Sequence, residues 1–197
     1  MYGLGTGGGK LPMPRFEIEE FVAGCREAAG SSQALPMVKD ILAGALARPA
    51  DITRALGTPS KAEIVTLHRS AELTVLNIIW GANMSLFPHD HQIWAAIGVY
   101  GGQEDNVFYR RTGQGLQQAG AQRVETGAVL SLGPDAIHSV VNSRSALTGT
   151  IHVYGGDFFA QRRTEWDPAT FEEHPFDMDH LSRAFDEANR AAEAGRS

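Results

Sequence analysis

From Lys61 to Tyr154 the chain is a succession of short β-rich runs broken by Gly, Pro, Ser and Asn, and this pattern narrows the fold more than any other feature. The runs are Glu63–Arg69, Leu73–Trp80, Gln92–Tyr100, Val107–Arg111, Gln122–Glu125, Ala128–Ser131, Ser139–Asn142 and Leu147–Tyr154. Strands this short, with turns this frequent, bury their apolar faces in a sandwich or a barrel. The flanks read differently. Over residues 16–56, Phe21, Val22, Cys25 and Ala28, then Val38, Ile41, Leu42 and Leu46, recur at helical spacing, with Gly30-Ser31-Ser32 between the segments and Pro49 ending the second. Asp179 to Ala194 reads as a last helix, with Asp179 as N-cap and Leu181, Phe185 and Ala188 on one stripe. The expected organisation is a Gly-rich flexible arm over 1–14, a helical segment over 15–58, one mainly β barrel over 59–165 and a C-terminal segment with a helix over 166–197.

A formal charge of −6 gives no basic footprint for nucleic acid, and no apolar run reaches the length of a membrane span. The single cysteine, Cys25, cannot form an internal disulfide, which suits a reducing cytoplasm, and it lies on a helical apolar stripe, the place of a packing residue. Oligomeric state leaves no trace in the pattern.

Three of the seven histidines stand out. In an extended chain, residues two apart share a face, so His89 and His91 of His89-Asp90-His91 can present two imidazoles to one ion. His138, after Gly133-Pro134, can close the site from a second strand. Neutral imidazoles suit Fe, Zn, Cu and Ni, and three protein ligands leave positions open for substrate. Asp90 should point away from such an ion, and Glu104 would reach it only from a loop. Trp94 reads as core, Tyr109-Arg110-Arg111 as a strand end with solvated charges, and His174 and His180 as exposed.

The two-part layout, Pro88-His89-Asp90-His91 before Gly101-Gly102 and then Gly133-Pro134 before His138 and Asn142, resembles the cupin double-stranded β-helix over roughly residues 60–160. The Glu that cupins carry shortly after the His-x-His is replaced here by Ala95 or Ala96, which favours a three-histidine site. With Trp80 ahead of the first motif and Ile137-His138-Ser139-Val140-Val141-Asn142 in the second, the chain looks like the thiol dioxygenases, the cysteine and 3-mercaptopropionate dioxygenase family, in its bacterial branch. That family carries Ser-x-His-x-Tyr facing its iron; here Thr150, His152 and Tyr154 occupy those places on one strand face.

The resemblance implies a jelly-roll barrel, Fe2+ on His89, His91 and His138, and small-molecule partners: a carboxylate-bearing thiol and O2. For the carboxylate it implies one of two arginine positions. The mercaptopropionate-type enzymes place an Arg shortly after the Tyr, where Arg163 stands. The mammalian-type cysteine enzymes place it on an early strand, where Thr66-Leu67-His68-Arg69 leaves either His68 or Arg69 in the slot. A cupin carrying Ni, Mn or Zn for another dioxygenase or isomerase reaction, and a ligand-binding cupin without activity, stay open as alternatives.

Overall fold

The computed structural model describes residues 15–113 and 115–195; the arm expected over 1–14 lies outside them. Three helices, α1 (Ile18–Ala29), α2 (Ala34–Leu46) and α3 (Pro49–Leu56), precede eleven strands. These are β1 (Glu63–Arg69), β2 (Thr74–Trp80), β3 (Ser85–Asp90), β4 (Ala95–Gly101), β5 (Gln103–Thr112), β6 (Gly115–Glu125), β7 (Val129–Leu132), β8 (Ile137–Val141), β9 (Thr148–Tyr154), β10 (Thr164–Trp166) and β11 (Glu173–Pro175). Helix α4 (Met178–Ala194) follows.

The strands form two antiparallel sheets, ordered β1-β2-β9-β4-β7 and β11-β10-β3-β8-β5-β6. Within them, β2, β4, β7 and β9 lie in one sheet and β3, β5, β6 and β8 in the other, the pairing of an eight-stranded jelly roll, the double-stranded β-helix. The expected mainly β barrel with helical ends is therefore the architecture found.

Strand β2 is buried along its whole length because both its faces are covered. Leu76, Ile78 and Trp80 point into the barrel, while Val75 and Ile79 join Cys25, Val38, Leu42 and Leu46 beneath the N-terminal helices. Each Leu or Ile buried in this way stabilises the fold by about 1.5–3 kcal/mol. The helical stripes read from the sequence are the faces that bury. Cys25 is fully enclosed, and burial pushes its thiol up to about 12, so it packs and does not react. Gly98 lets α2 lie close on β4, since a Cβ there would meet Leu46 at 2.6 Å and Leu42 at 2.8 Å.

Several local expectations need correction. Pro49 does more than end α2: it opens α3 in the first turn, where its missing N–H costs nothing. The N-cap of α4 is Asp177, whose carboxylate accepts the Asp179 N–H at 2.8 Å, and not Asp179. Leu181 and Phe185 then bury as expected, with Phe185 against Trp80 at 5.5 Å between ring centroids. Asn189 fixes the far end of α4 by bonding both backbone groups of Ala62. Among the described residues no helix is long and apolar enough to cross a membrane.

Candidate metal centre

Strands β3 and β8 pair so that His89 lies opposite His138, while β3 ends at Asp90. His91 therefore comes from the turn after the strand, where Gln92 adopts a φ of 56°. The turn still delivers it to the same point. His91 Nε2 lies 3.2 Å from His89 Nε2 and 3.4 Å from His138 Nε2, and all three ligand atoms fall within 4.8 Å of one another.

The remaining ring nitrogens decide what those Nε2 atoms can do. His89 Nδ1 donates to the Phe87 carbonyl at 3.0 Å, and His138 Nδ1 lies 2.7 Å from Asn106 Oδ1. Both Nε2 atoms thus turn lone pairs inward, as ligating histidines do. Burial, reinforced by the repulsion among the rings, holds His91 and His138 well below the ordinary histidine value, and burial pushes His89 down to about 4. All three are neutral at pH 7. A metal–nitrogen bond of about 2.0–2.1 Å at tetrahedral or octahedral angles spaces the nitrogens by roughly 2.9–3.4 Å. The donor set, and the 3.2 and 3.4 Å spacings of His89 and His138 from His91, fit a divalent transition ion.

These depressed values link the site to stability. The unfolded chain takes up protons near 6.5, whereas folded His89 resists until about 4. Below the unfolded value the unfolded state binds more protons, so stability falls with pH. The metal-free protein is expected to keep its full stability above pH 6.5 and to lose it progressively toward about pH 4. A melting temperature that stays flat across this window would contradict the assignment of buried neutral histidines.

The second expected group is also assembled. Thr150, His152 and Tyr154 are buried on the inner face of β9. His152 Nδ1 lies 3.0 Å from Tyr154 Oη, and His152 Nε2 lies 3.0 Å from Thr150 Oγ1. The Tyr154 ring meets the His91 ring at 5.0 Å between centroids, which joins the two groups at one cavity. The cavity is also walled by Trp80, Leu86, Phe158, Phe176 and Leu181, and at about 20 Å3 it has room for about one water.

The three candidate carboxylate-binding residues part company. Arg163 is 7% exposed, with its guanidinium between the rings of Phe158 and Phe176, 3.9 Å from each centroid. Among the described residues its guanidinium makes one hydrogen bond, Nη2 to Met178 Sδ at 3.4 Å, and Nε and Nη1 are buried without a partner there. Burial pushes its pKa down to about 10, so it remains charged at neutral pH. The structure does not bring His68 or Arg69 to the histidines. A bulge in β1 between Thr66 and His68 sets His68 opposite Val75, on the side covered by the helices. Arg69 is exposed at the strand end and clasps Asp157 through Nε at 2.9 Å and Nη2 at 3.0 Å.

Asp90 keeps the structural role expected of it: Oδ1 accepts the Thr164 N–H at 2.8 Å and Oδ2 accepts from Gln92 at 2.6 Å. Trp94 packs toward the helices, and glycine at 155 lets the chain leave β9 over it, since a Cβ there would lie 2.1 Å from the indole. His174 is exposed as expected, but His180 is not simply solvated: its ring stacks on Phe87 at 4.2 Å and its Nδ1 lies 2.7 Å from Glu165 Oε1. Glu104 departs most from expectation. It sits within β5, fully buried, accepting from Trp80 Nε1 at 2.7 Å and from Asn106 Nδ2 at 3.0 Å. Glu104 and Asn106 alternate on the buried face of this strand, where no apolar period marks them in the sequence.

No family model matches the chain. Among solved structures, it is similar to a cupin protein with a double-stranded β-helix fold from Methanocaldococcus jannaschii, with 8% identity over 52% of this chain and 87% of that one and a TM-score of 0.43. A double-stranded β-helix protein from Klebsiella pneumoniae matches at 12% identity over 60% and 89%, with a TM-score of 0.39. A cupin barrel protein from Salinispora arenicola matches at 18% identity over 47% and 74%, also with a TM-score of 0.39. Likeness at this level says nothing of activity; the fold rests on the strand order and the site on its own geometry.

Proposed function

We propose that this chain is a non-haem iron(II) thiol dioxygenase acting on a small carboxylate-bearing thiol of the cysteine or 3-mercaptopropionate kind. The observation that carries the reading is a buried, charged guanidinium, that of Arg163, without an acidic partner among the described residues and held between Phe158 and Phe176, two rings that line the cavity of the three converging neutral histidines. An ion there and a carboxylate on Arg163 would bind two ends of one small molecule, for which the cavity, with room for about one water as it stands, would have to widen. The reaction consumes a thiol and O2 and yields a sulfinate and a proton, with both oxygen atoms on sulfur.

His89, His91 and His138 would hold Fe2+. When bound, it supplies the one-electron chemistry that lets O2 react with a thiolate, and an undiminished double charge that favours the thiolate over the thiol. The remaining work falls to the chain. Arg163 orients the substrate by a charge-assisted fork. Burial holds the Tyr154 phenol well above its ordinary value, so it is a neutral hydroxyl at pH 7. With His152 it forms a hydrogen-bonded line able to hold a proton beside His91. Phe158, Phe176 and Leu181 give the site an apolar wall, in which each of these electrostatic contacts is stronger than in water.

Oxygen uptake by the Fe2+-loaded protein with cysteine, 3-mercaptopropionate and cysteamine tests the reading. Uptake is expected with the carboxylate thiols, and none with any thiol would overturn it. The Tyr-His line gives a finer expectation: His152→Ala and Tyr154→Phe should retain iron while turnover drops about 10–100-fold, the usual effect of losing a group behind the ligands. Unchanged rates in both variants would leave the pair a packing role only.

A further inference from the structure

The Glu104 carboxylate is buried on β5 with no Lys or Arg paired to it among the described residues. Its oxygens meet donors on every side. Oε1 accepts from Asn106 Nδ2 at 3.0 Å; Oε2 accepts from the Trp80 indole N–H at 2.7 Å and lies 3.5 Å from His152 Nε2. An indole offers only a donor, so Oε2 accepts there, and with the Asn106 amide donating to Oε1 a carboxylate satisfies every contact.

We infer that Glu104 is a positioning residue of the site, one buried carboxylate that sets the tautomer of His138 through Asn106 and reinforces the tautomer of His152 that Thr150 fixes. The first branch runs through Asn106. Because Glu104 can only accept, the amide of Asn106 turns its NH2 toward it and its Oδ1 toward His138. His138 must then carry its proton on Nδ1, leaving the Nε2 lone pair for an ion.

The second branch runs through His152. The single proton of Thr150 goes to the Ile78 carbonyl at 3.0 Å, so Thr150 Oγ1 can only accept from His152 Nε2. With Glu104 Oε2 beside the same nitrogen, two acceptors hold the His152 proton on Nε2. His152 Nδ1 is therefore an acceptor, and Tyr154 donates its hydroxyl proton to it. Glu104 also places one negative charge behind three neutral ligands, a counter-charge to a divalent ion that the ligand set itself lacks. The effect on ion affinity rests on the metal-site reading; the tautomers do not.

Two-bond proton–nitrogen NMR correlations on histidine-labelled protein, together with Zn2+ affinity by chelator competition, test the inference. Metal-free wild type should show His138 protonated on Nδ1 and His152 on Nε2. In Glu104→Gln, whose side chain both donates and accepts, Asn106 can flip, the His138 tautomer should become mixed while Thr150 still holds the His152 proton on Nε2, and the Zn2+ dissociation constant should rise about 10–100-fold. Wild type with either histidine in the opposite tautomer would overturn the inference, and that measurement stands even if the variant does not fold. A folded Glu104→Gln with an unchanged His138 tautomer and affinity within about twofold of wild type would overturn it equally. The stated tautomers in a wild type that binds no Zn2+, with that of His138 lost in Glu104→Gln, would support positioning by Glu104 while removing the metal reading.

Discussion

His138→Ala is expected to abolish stable metal binding and all turnover. It removes one of three converging Nε2 atoms, those of His89 and His138 lying 3.2 and 3.4 Å from that of His91, and the two that remain come from one segment. Losing a group that merely supports a ligand costs about 10–100-fold in affinity, so losing the ligand itself should exceed that range. The variant also leaves Asn106 Oδ1 without its buried donor, a penalty of about 1–3 kcal/mol, so a lower melting temperature should accompany the metal loss. Metal analysis after dialysis against a weak chelator reads the first effect. Wild-type metal content in a folded His138→Ala protein would remove this histidine from the site.

Arg163→Met should show two effects of opposite sign. Its guanidinium carries charge while Nε and Nη1 have no hydrogen-bond partner, so the fold bears the cost of burying an unmatched cation. A methionine of similar length fits between Phe158 and Phe176, and the variant without substrate should melt at a higher temperature than wild type. Binding should move the other way. A lost charge-assisted pair costs about 1.5–3 kcal/mol, or roughly 10–150-fold, so KM for carboxylate thiols should rise by that factor while cysteamine, which has no carboxylate, changes little. Equal effects on both classes of thiol would assign Arg163 a structural role alone. The Arg69–Asp157 clasp lies at the surface, so Arg69→Ala offers a control expected to leave KM near wild type.

The strands that sequence pattern revealed are those with apolar alternation or continuous burial. Glu63–Arg69 is found at its expected limits, and the runs for β2, β7, β8 and β9 shift by one or two residues. Strand β6 was legible only at its end because Gln117, Gln118, Gln122 and Arg123 face solvent on an outer ladder and leave little apolar period to detect. Strand β3 was hidden by Pro88 and by the motif itself: His89 ends a strand and His91 belongs to a turn, so the shared-face argument reached the right ligands through a geometry that only half applies. Periodicity also failed at His68, because a one-residue bulge reverses every facing assignment after it. Glu104 and Asn106 were invisible for a different reason. Buried polar residues carry no hydrophobic signal, and only their partners, Trp80 and His138 on other strands, explain why they are inside. The three histidines and the Thr150-His152-Tyr154 line were legible because fixed short spacings survive small shifts in strand ends.

The central claim is that both atoms of O2 end on the sulfur of a carboxylate thiol at the three-histidine site. The most direct measurement is mass spectrometry of the product formed by the Fe2+-loaded protein from 3-mercaptopropionate or cysteine under isotope-labelled dioxygen. The account predicts a sulfinate carrying label in both oxygen positions, formed in step with the oxygen consumed and absent with His138→Ala. Disulfide with peroxide in place of sulfinate, or sulfinate whose oxygens come from water, would contradict it.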